Sequence, residues 1–429
     1  MSVELDQQVG NSLYEKSLDC VHCGLCLTSC PTYLETGRET SSPRGRIYLM
    51  RGVAEGRLSV SETLSEEAFL CLGCRACETA CPSGVRYGEM LEETRALVVG
   101  AGARRGPSAV LERWGLRLVA SPRALHAAVA LLGGLQRLGL DRLGLQLLPA
   151  SLRARLGGLV PVVPPAAERK PLPEWFPAEG VRRGRVALLS GCVMSELFGS
   201  VHRATLRVLA RNGFEVLVPR TQGCCGALHA HSGDDARAAE LARVNLQAFA
   251  EVDTIVVNSA GCGAAMRDAG HWLPGEGEAF AAKVRDIAEF LDDVGIIQPK
   301  GRLEATVCYD DPCHLLHGQG VGPAVRRLLE AIPGLELLAH READRCCGAA
   351  GIYNLTQPEM SAAVLARKLD ALAETDPDIV ATGNPGCLMQ IAAGLTARGL
   401  RARAVHPIEL LDEAYGRADE APGTQPAIP

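Results

Sequence analysis

The chain is poor in aromatic residues, at 4% of 429 residues, and has no long apolar run. Its best apolar stretch, 124–135, is too short to cross a bilayer and carries His126. There is no excess of positive charge: the formal net charge is −6. With 47% hydrophobic residues, this is an ordinary globular balance that offers no case for nucleic-acid binding. The opening residues, MSVELDQQVG, lack the charged start and apolar stretch of a signal peptide, so a cytoplasmic location is expected. No G-x-G-x-x-G opens a helix after a strand, so a dinucleotide such as FAD is expected to bind elsewhere than on this chain. The length suits two or three domains with cores of their own.

Cysteine, by contrast, is abundant, with 17 residues. Eight fall in two copies of one run: Cys20, Cys23, Cys26, Cys30-Pro31 and Cys71, Cys74, Cys77, Cys81-Pro82. This three-plus-one spacing is that of a ferredoxin with two [4Fe–4S] cubanes, in which the fourth cysteine of each run ligates the other cluster. Cys20, Cys23, Cys26 and Cys81 are therefore assigned to one cluster, and Cys71, Cys74, Cys77 and Cys30 to the second. Gly24 and Gly73 leave room for backbone N–H groups near the sulfides, and Pro31 and Pro82 end the ligand loops. Zinc sites use paired C-x-x-C units rather than a repeated three-plus-one run. A disulfide framework does not suit so long a chain without a secretory signal.

The expected fold class is a multidomain mixture of α+β and α/β. An α-helical two-cluster ferredoxin domain spans 1–103. Within it, Pro43 to Met50 reads as a helix start, where Arg44 and Arg46 either offset cluster charge or form a solvated face; 87–99 reads as a closing helix. Residues 104–180 form a helical connector and proline-rich linker. Between 104 and 170 there are 11 basic residues against 3 acidic ones, with leucines at helical spacing. Such a basic amphipathic segment is either an internal connector or a surface for an anionic membrane or a partner. Residues 417–429 read as a disordered tail.

The remainder is an internal repeat, 181–300 and 301–416. In the first copy, strands at 186–190, 214–218 and 254–258 lead into Cys192, Cys224-Cys225-Gly226 and Cys262. In the second, strands at 305–309, 335–339 and 379–382 lead into Cys313, Cys346-Cys347-Gly348 and Cys387. The intervals match: 31 and 32 residues separate the first two cysteines, and 36 and 39 the last two. Both copies close alike, with Ile287-Ala288-Glu289-Phe290-Leu291-Asp292 and Ile408-Glu409-Leu410-Leu411-Asp412. Strands alternating with helices predict parallel sheets, with each cysteine group beyond a strand's carboxyl end.

The Cys…Cys-Cys-Gly…Cys repeat resembles the cysteine-rich domain of heterodisulfide reductase. Together with Cys20-Val21-His22-Cys23-Gly24-Leu25-Cys26, Cys30-Pro31-Thr32-Tyr33, Pro43-Arg44-Gly45-Arg46-Ile47-Tyr48-Leu49 and Cys81-Pro82-Ser83-Gly84-Val85-Arg86-Tyr87, the chain from about 14 to 415 is similar to the iron–sulfur subunits of glycolate oxidase. The resemblance implies a subunit of an oxidoreductase complex that carries electrons from FAD-binding oxidase subunits to a membrane acceptor such as quinone, from the cytoplasm or the inner face of the membrane. A reduced flavin yields two electrons and a cubane accepts one, so two clusters match the flavin. Alternatives are the equivalent subunit of anaerobic glycerol-3-phosphate or D-lactate dehydrogenase, and a disulfide reductase acting at the repeats. The chain departs from heterodisulfide reductase where a fifth cysteine of each repeat is replaced by Ala265 and Gln390. The four left in each, Cys192, Cys224, Cys225, Cys262 and Cys313, Cys346, Cys347, Cys387, leave open further iron–sulfur, zinc, a vacant docking relic, or thiol–disulfide exchange. His229, His231, His314 and His317 either complete such sites, relay protons, or are satisfied polar residues at loop ends.

Overall fold

A computed structural model describes residues 7–147 and 160–419. The last ten residues of the expected tail lie outside the described residues, and 417–419 end the final helix, Pro407–Asp419. The first hundred residues are helical. Helices Gln7–Leu18, Pro43–Ala54, Glu62–Leu70 and Tyr87–Gly100 surround a core that includes Leu13, Met50, Met90 and Leu91. The Pro43 helix starts as its sequence dictates: Ser42 caps it by accepting from the Gly45 N–H, and Pro43 sits where no donor is needed.

The connector is two helices, Pro107–Ala120 and Pro122–Arg137, bent by 104° at Ser121, followed by Leu140–Gln146. Among the described residues no single helix is long and apolar enough to cross a membrane. The proline-rich stretch is more than a linker. Its Trp175–Phe176 pairs antiparallel with Phe214–Leu217 at the sheet edge.

Each repeat is an open parallel sheet with helices, as the alternating pattern predicts. We number the strands β1 (Trp175–Phe176), β2 (Gly184–Leu188), β3 (Phe214–Leu217), β4 (Ile255–Val257), β5 (Val284–Asp286), β6 (Ala305–Tyr309), β7 (Leu335–Leu338), β8 (Ile379–Ala381) and β9 (Arg403–Val405). The strand orders are β1-β3-β2-β4-β5 and β7-β6-β8-β9. β5 and β9, three residues each, are additions to the three strands per repeat read from sequence; Val284-Arg285-Asp286 is too short to show a period.

The two copies embrace reciprocally, which explains their matching ends. The closing helix of the first, Ile287–Val294, packs on Gly322–Glu330 of the second. The closing helix of the second, Pro407–Asp419, packs on Gly199–Arg211 of the first. Asp292 pairs with Arg327, and Asp412 pairs with Arg207 at 2.5 Å. Between the sheets, His406 Nε2 donates to the Asn258 carbonyl at 3.1 Å, while its Nδ1 accepts from the Ile408 N–H at 3.2 Å. His202 Nε2 lies 2.9 Å from the Ser190 carbonyl.

Burial holds His406 down at about 3 and His202 at about 4, below the ordinary imidazole range. Both stay neutral in the fold while the unfolded chain takes up protons below about pH 6.5, so folding weakens as pH falls from there toward 4. Asp235, Asp286 and Asp310, which burial raises to about 7, act in the opposite sense, so the loss is read as the difference between the native chain and a His406 variant in thermal unfolding between pH 7 and 5. His406→Gln should flatten it by about one proton, about 1.4 kcal/mol per pH unit in that window.

Candidate metal centres and the cavity between them

Cys20, Cys23, Cys26 and Cys81 line one concavity together with Gly24, Arg44, Ile47 and Cys77. Cys23 is exposed, and its neighbours Val21 and Leu25 are 69% and 58% exposed. The second set, Cys30, Cys71, Cys74 and Cys77, is wholly buried. Burial pushes the Cys77 thiol well up, with Cys74, Cys71 and Cys30 close enough to add to it. Cys81 lines the concavity of the first run together with Cys77, and Cys30 lies close to both Cys26 and Cys77. Four buried sulfurs ionise together only around a cation, so the donor set fits a cluster.

The two arginines of the 43–54 helix differ. Arg44 is partly exposed, pairs with Glu39 at 2.7 Å and donates to the His22 carbonyl at 3.1 Å. Arg46 is 1% exposed and donates to the Glu67 carbonyl at 2.7 Å and to Thr32 Oγ1 at 3.1 Å. It lies near Cys30 and Cys71, so it offsets charge beneath the second set rather than facing solvent.

The repeats place their cysteines in two compact groups. Cys192 and Cys224 sulfurs are 3.5 Å apart, Cys225 and Cys262 3.1 Å, and Cys347 and Cys387 3.0 Å. Contacts with Cys192 and Cys225 hold Cys224 well below the ordinary thiol range, and contacts with Cys346 and Cys387 hold Cys347 there. The same contacts, with burial, push Cys192, Cys225, Cys346 and Cys387 up. The glycine of Cys-Cys-Gly makes the turn possible. Gly226 and Gly348 have φ of +88° and +86°, and a Cβ on Gly348 would lie 2.6 Å from the Ser361 carbonyl oxygen. Cys308 is a core residue in β6.

Both groups line a single cavity of about 200 Å³, and Cys71 of the ferredoxin domain lines it too. Cys346 and Cys74 belong to the same apolar cluster, and after burial Cys313 is the largest charge influence on Cys74. Ala265 and Gln390, which replace the fifth cysteines, lie outside that lining. Ala265 packs in the first repeat's core, and Gln390 donates to Ser361 Oγ at 3.0 Å. Among the described residues no three His, Cys, Asp or Glu donors close on a single ion position. The same holds of the eight ferredoxin cysteines, so it does not set the repeats apart from them.

The histidines serve mostly as struts between domains. His231 Nδ1 meets Glu92 at 2.9 Å, His314 Nε2 the Gly73 carbonyl at 3.0 Å, and His317 Nδ1 Thr79 Oγ1 at 2.9 Å. Burial keeps His314 at about 4, hence neutral. His229 is buried near the connector. Sequence reasoning missed two residues. Arg95 donates to the Ala68, Cys71 and His231 carbonyls at 3.1, 2.6 and 2.7 Å. Lys368, 1% exposed, pairs with Asp310 and donates to the Glu342 carbonyl at 2.6 Å. Burial lowers Lys368, but Asp310, Cys347 and Cys387 more than offset this. Its counterpart in the first repeat is Asn245, which donates to the Cys224 carbonyl at 2.9 Å and accepts from the Gly223 N–H. Aligning the two repeats would have exposed this asymmetry.

Comparison with known proteins accords with this architecture. Residues 16–85 match the 4Fe-4S dicluster domain, and 186–267 and 307–392 match the cysteine-rich domain. The chain is 39% identical over 434 residues to the probable glycolate oxidase iron-sulfur subunit of Bacillus subtilis (strain 168), covering 96% of this chain and 98% of that one. The chain belongs to the glycolate oxidase iron–sulfur subunit family. The Escherichia coli (strain K12) subunit is 34% identical, over 92% and 93% of the two chains. Lactate utilization protein A of Geobacillus kaustophilus matches at 30% over 53% of this chain and 98% of its own. These findings make the chain an iron–sulfur protein of an oxidoreductase complex, of the glycolate oxidase or lactate utilization type.

Removing one member of the buried pair tests the second repeat. Lys368→Met should destabilise the chain by about 3–5 kcal/mol, the usual cost of orphaning a buried charge. Adding Asp310→Asn should recover part of it in chemical denaturation.

Proposed function

We propose that the chain is the electron-transfer subunit of a flavin-dependent 2-hydroxyacid dehydrogenase, with glycolate as the substrate. FAD-binding oxidase subunits would be its partners, and a membrane acceptor such as quinone its outlet. The observation that carries this reading is the gradient of exposure along the cysteine sets. The first set is open at Cys23 and rimmed by exposed Val21 and Leu25. The second is buried, and it abuts the cavity lined by both repeats. Cys20, Cys23, Cys26 and Cys81 would hold the cubane nearest the flavoprotein, and Cys71, Cys74, Cys77 and Cys30 the inner one. Bound clusters would supply one-electron carriers.

The residues around them set the conditions for transfer. Arg46 places a fixed positive charge under the inner sulfurs, and Tyr87 Oη, 3.6 Å from Cys71 Sγ, donates toward that ligand. Val21 and Leu25 exclude water when a partner covers them. At the repeats, the four sulfurs of each group would hold further iron–sulfur, with a lone zinc as the alternative. A tetrahedral Zn–S₄ site needs all sulfurs about 2.3 Å from one point.

Anaerobic reconstitution followed by iron, zinc and sulfide counts and EPR tests these assignments. The reading predicts more than eight irons per chain and at most trace zinc. Eight irons, or one to two zincs, would remove iron from the repeats; fewer than eight would undo the cubane assignment. Val21→Glu/Leu25→Glu should leave the cluster absorbance intact and weaken co-purification with the flavoprotein subunits. Cys74→Ser should abolish glycolate-driven reduction of the inner centres in the assembled complex.

A further inference from the structure

The connector presents an apolar surface that nothing among the described residues covers. In helix Pro107–Ala120 the outward side chains include Leu111 and Trp114, 65% and 64% exposed. In Pro122–Arg137 and just beyond it, Leu131 and Leu138 are 67% and 74% exposed. The charges beside them have one sign. Arg105, Arg113, Arg117, Arg123 and Arg137 are exposed, while the acidic residues are withdrawn: Glu112 is buried against Arg104 at 2.5 Å, and Asp141 is half-buried. No acidic side chain is exposed among the described residues from 105 to 147, in a chain whose net charge is −6.

The two helices are held firmly from below. Leu116, Leu125 and Val129 are buried, Arg104 stacks over Phe69 at 3.7 Å, and Gln136 Nε2 donates to the Pro161 carbonyl at 2.8 Å. Their inner side reaches the cysteine cavity. Arg104 and Glu112 line it, and His126 meets Glu196, on the helix that starts just after Cys192, at 3.1 Å. One helix thus has the cavity on one flank and the exposed Leu and Trp on another.

We propose that this bent helical pair is a membrane-docking surface. Its leucines and Trp114 enter the interfacial layer of an anionic bilayer, and its arginines meet the lipid phosphates. Apolar side chains flanked by arginine without exposed acid are the complement of such a surface, whereas a protein partner of mixed charge would be met by mixed charge. Docked in this way, the cavity lies about one helix diameter, 10–12 Å, from the lipid. The purpose of the contact rests on the reading that electrons leave toward a membrane. Its test needs no turnover, so the two can fail separately.

The test is sedimentation of the anaerobically prepared, cluster-loaded full chain with sucrose-loaded vesicles. An equimolar phosphatidylcholine–phosphatidylglycerol mixture is compared with pure phosphatidylcholine. The expected result is binding to the anionic vesicles at least about tenfold stronger than to the neutral ones, and its release by 1 M salt, where the screening length is about 3 Å. Trp114→Glu/Leu118→Glu and Arg113→Glu/Arg117→Glu should each abolish it, with unchanged cluster absorbance showing that the chain is folded. Equal binding to both vesicles, or none, overturns the proposal. So does a result in which these variants bind vesicles normally but no longer assemble with the flavoprotein subunits, which would make the face a subunit interface.

Discussion

The structure turns on one buried guanidinium. Arg95 reaches out of the ferredoxin domain's closing helix and gives its hydrogen bonds to three carbonyls: Ala68, Cys71 and His231. The first two order the loop that presents Cys71; the third belongs to the first repeat. The approach is close enough that a Cβ on Gly233 would come within 2.6 Å of the Arg95 backbone. Burial lowers Arg95, so nearby negative charge at Cys71 and Glu92 is what keeps it favourable. Tyr353 does the same for the second repeat by donating to the Leu70 carbonyl at 2.7 Å. Both contacts converge on the 68–71 segment, which fixes the inner cysteine set against the cavity.

The two repeats are alike in plan and unlike in electrostatics. Their closing helices exchange places, and matched Arg–Asp pairs secure the exchange. Beneath the cysteines, however, the first repeat has the neutral amide of Asn245 and the second the buried Lys368–Asp310 pair. Cys347 and Cys387 thus lie over an ion pair, and Cys225 and Cys262 over a neutral amide.

Much of this was legible in the sequence. Ligand spacing pointed to the dicluster domain because a cluster demands local convergence, and the repeat gave the parallel sheets because strands, helices and cysteine groups recurred at matched intervals. What stayed hidden depends on contacts between distant segments. Arg95 occupies an unremarkable place in a helix, and Lys368 looks like a surface residue until its helix is packed on β6. β5 and β9 are too short to carry a period. That eight cysteines from two domains share one cavity follows only from the reciprocal packing of the repeats. The connector's character was visible in its charge, but which face is covered was not.

The central proposal is that the inner ferredoxin set holds a cubane beside iron–sulfur at the second repeat's cysteines. It is tested most directly by EPR of the chemically reduced, cluster-loaded chain, with and without Cys346→Ser. Proximity through Cys74 and Cys346 predicts that the inner cubane signal is broadened or split by spin coupling in the native chain and simplifies in the variant. An inner cubane signal identical in the two proteins would contradict the account.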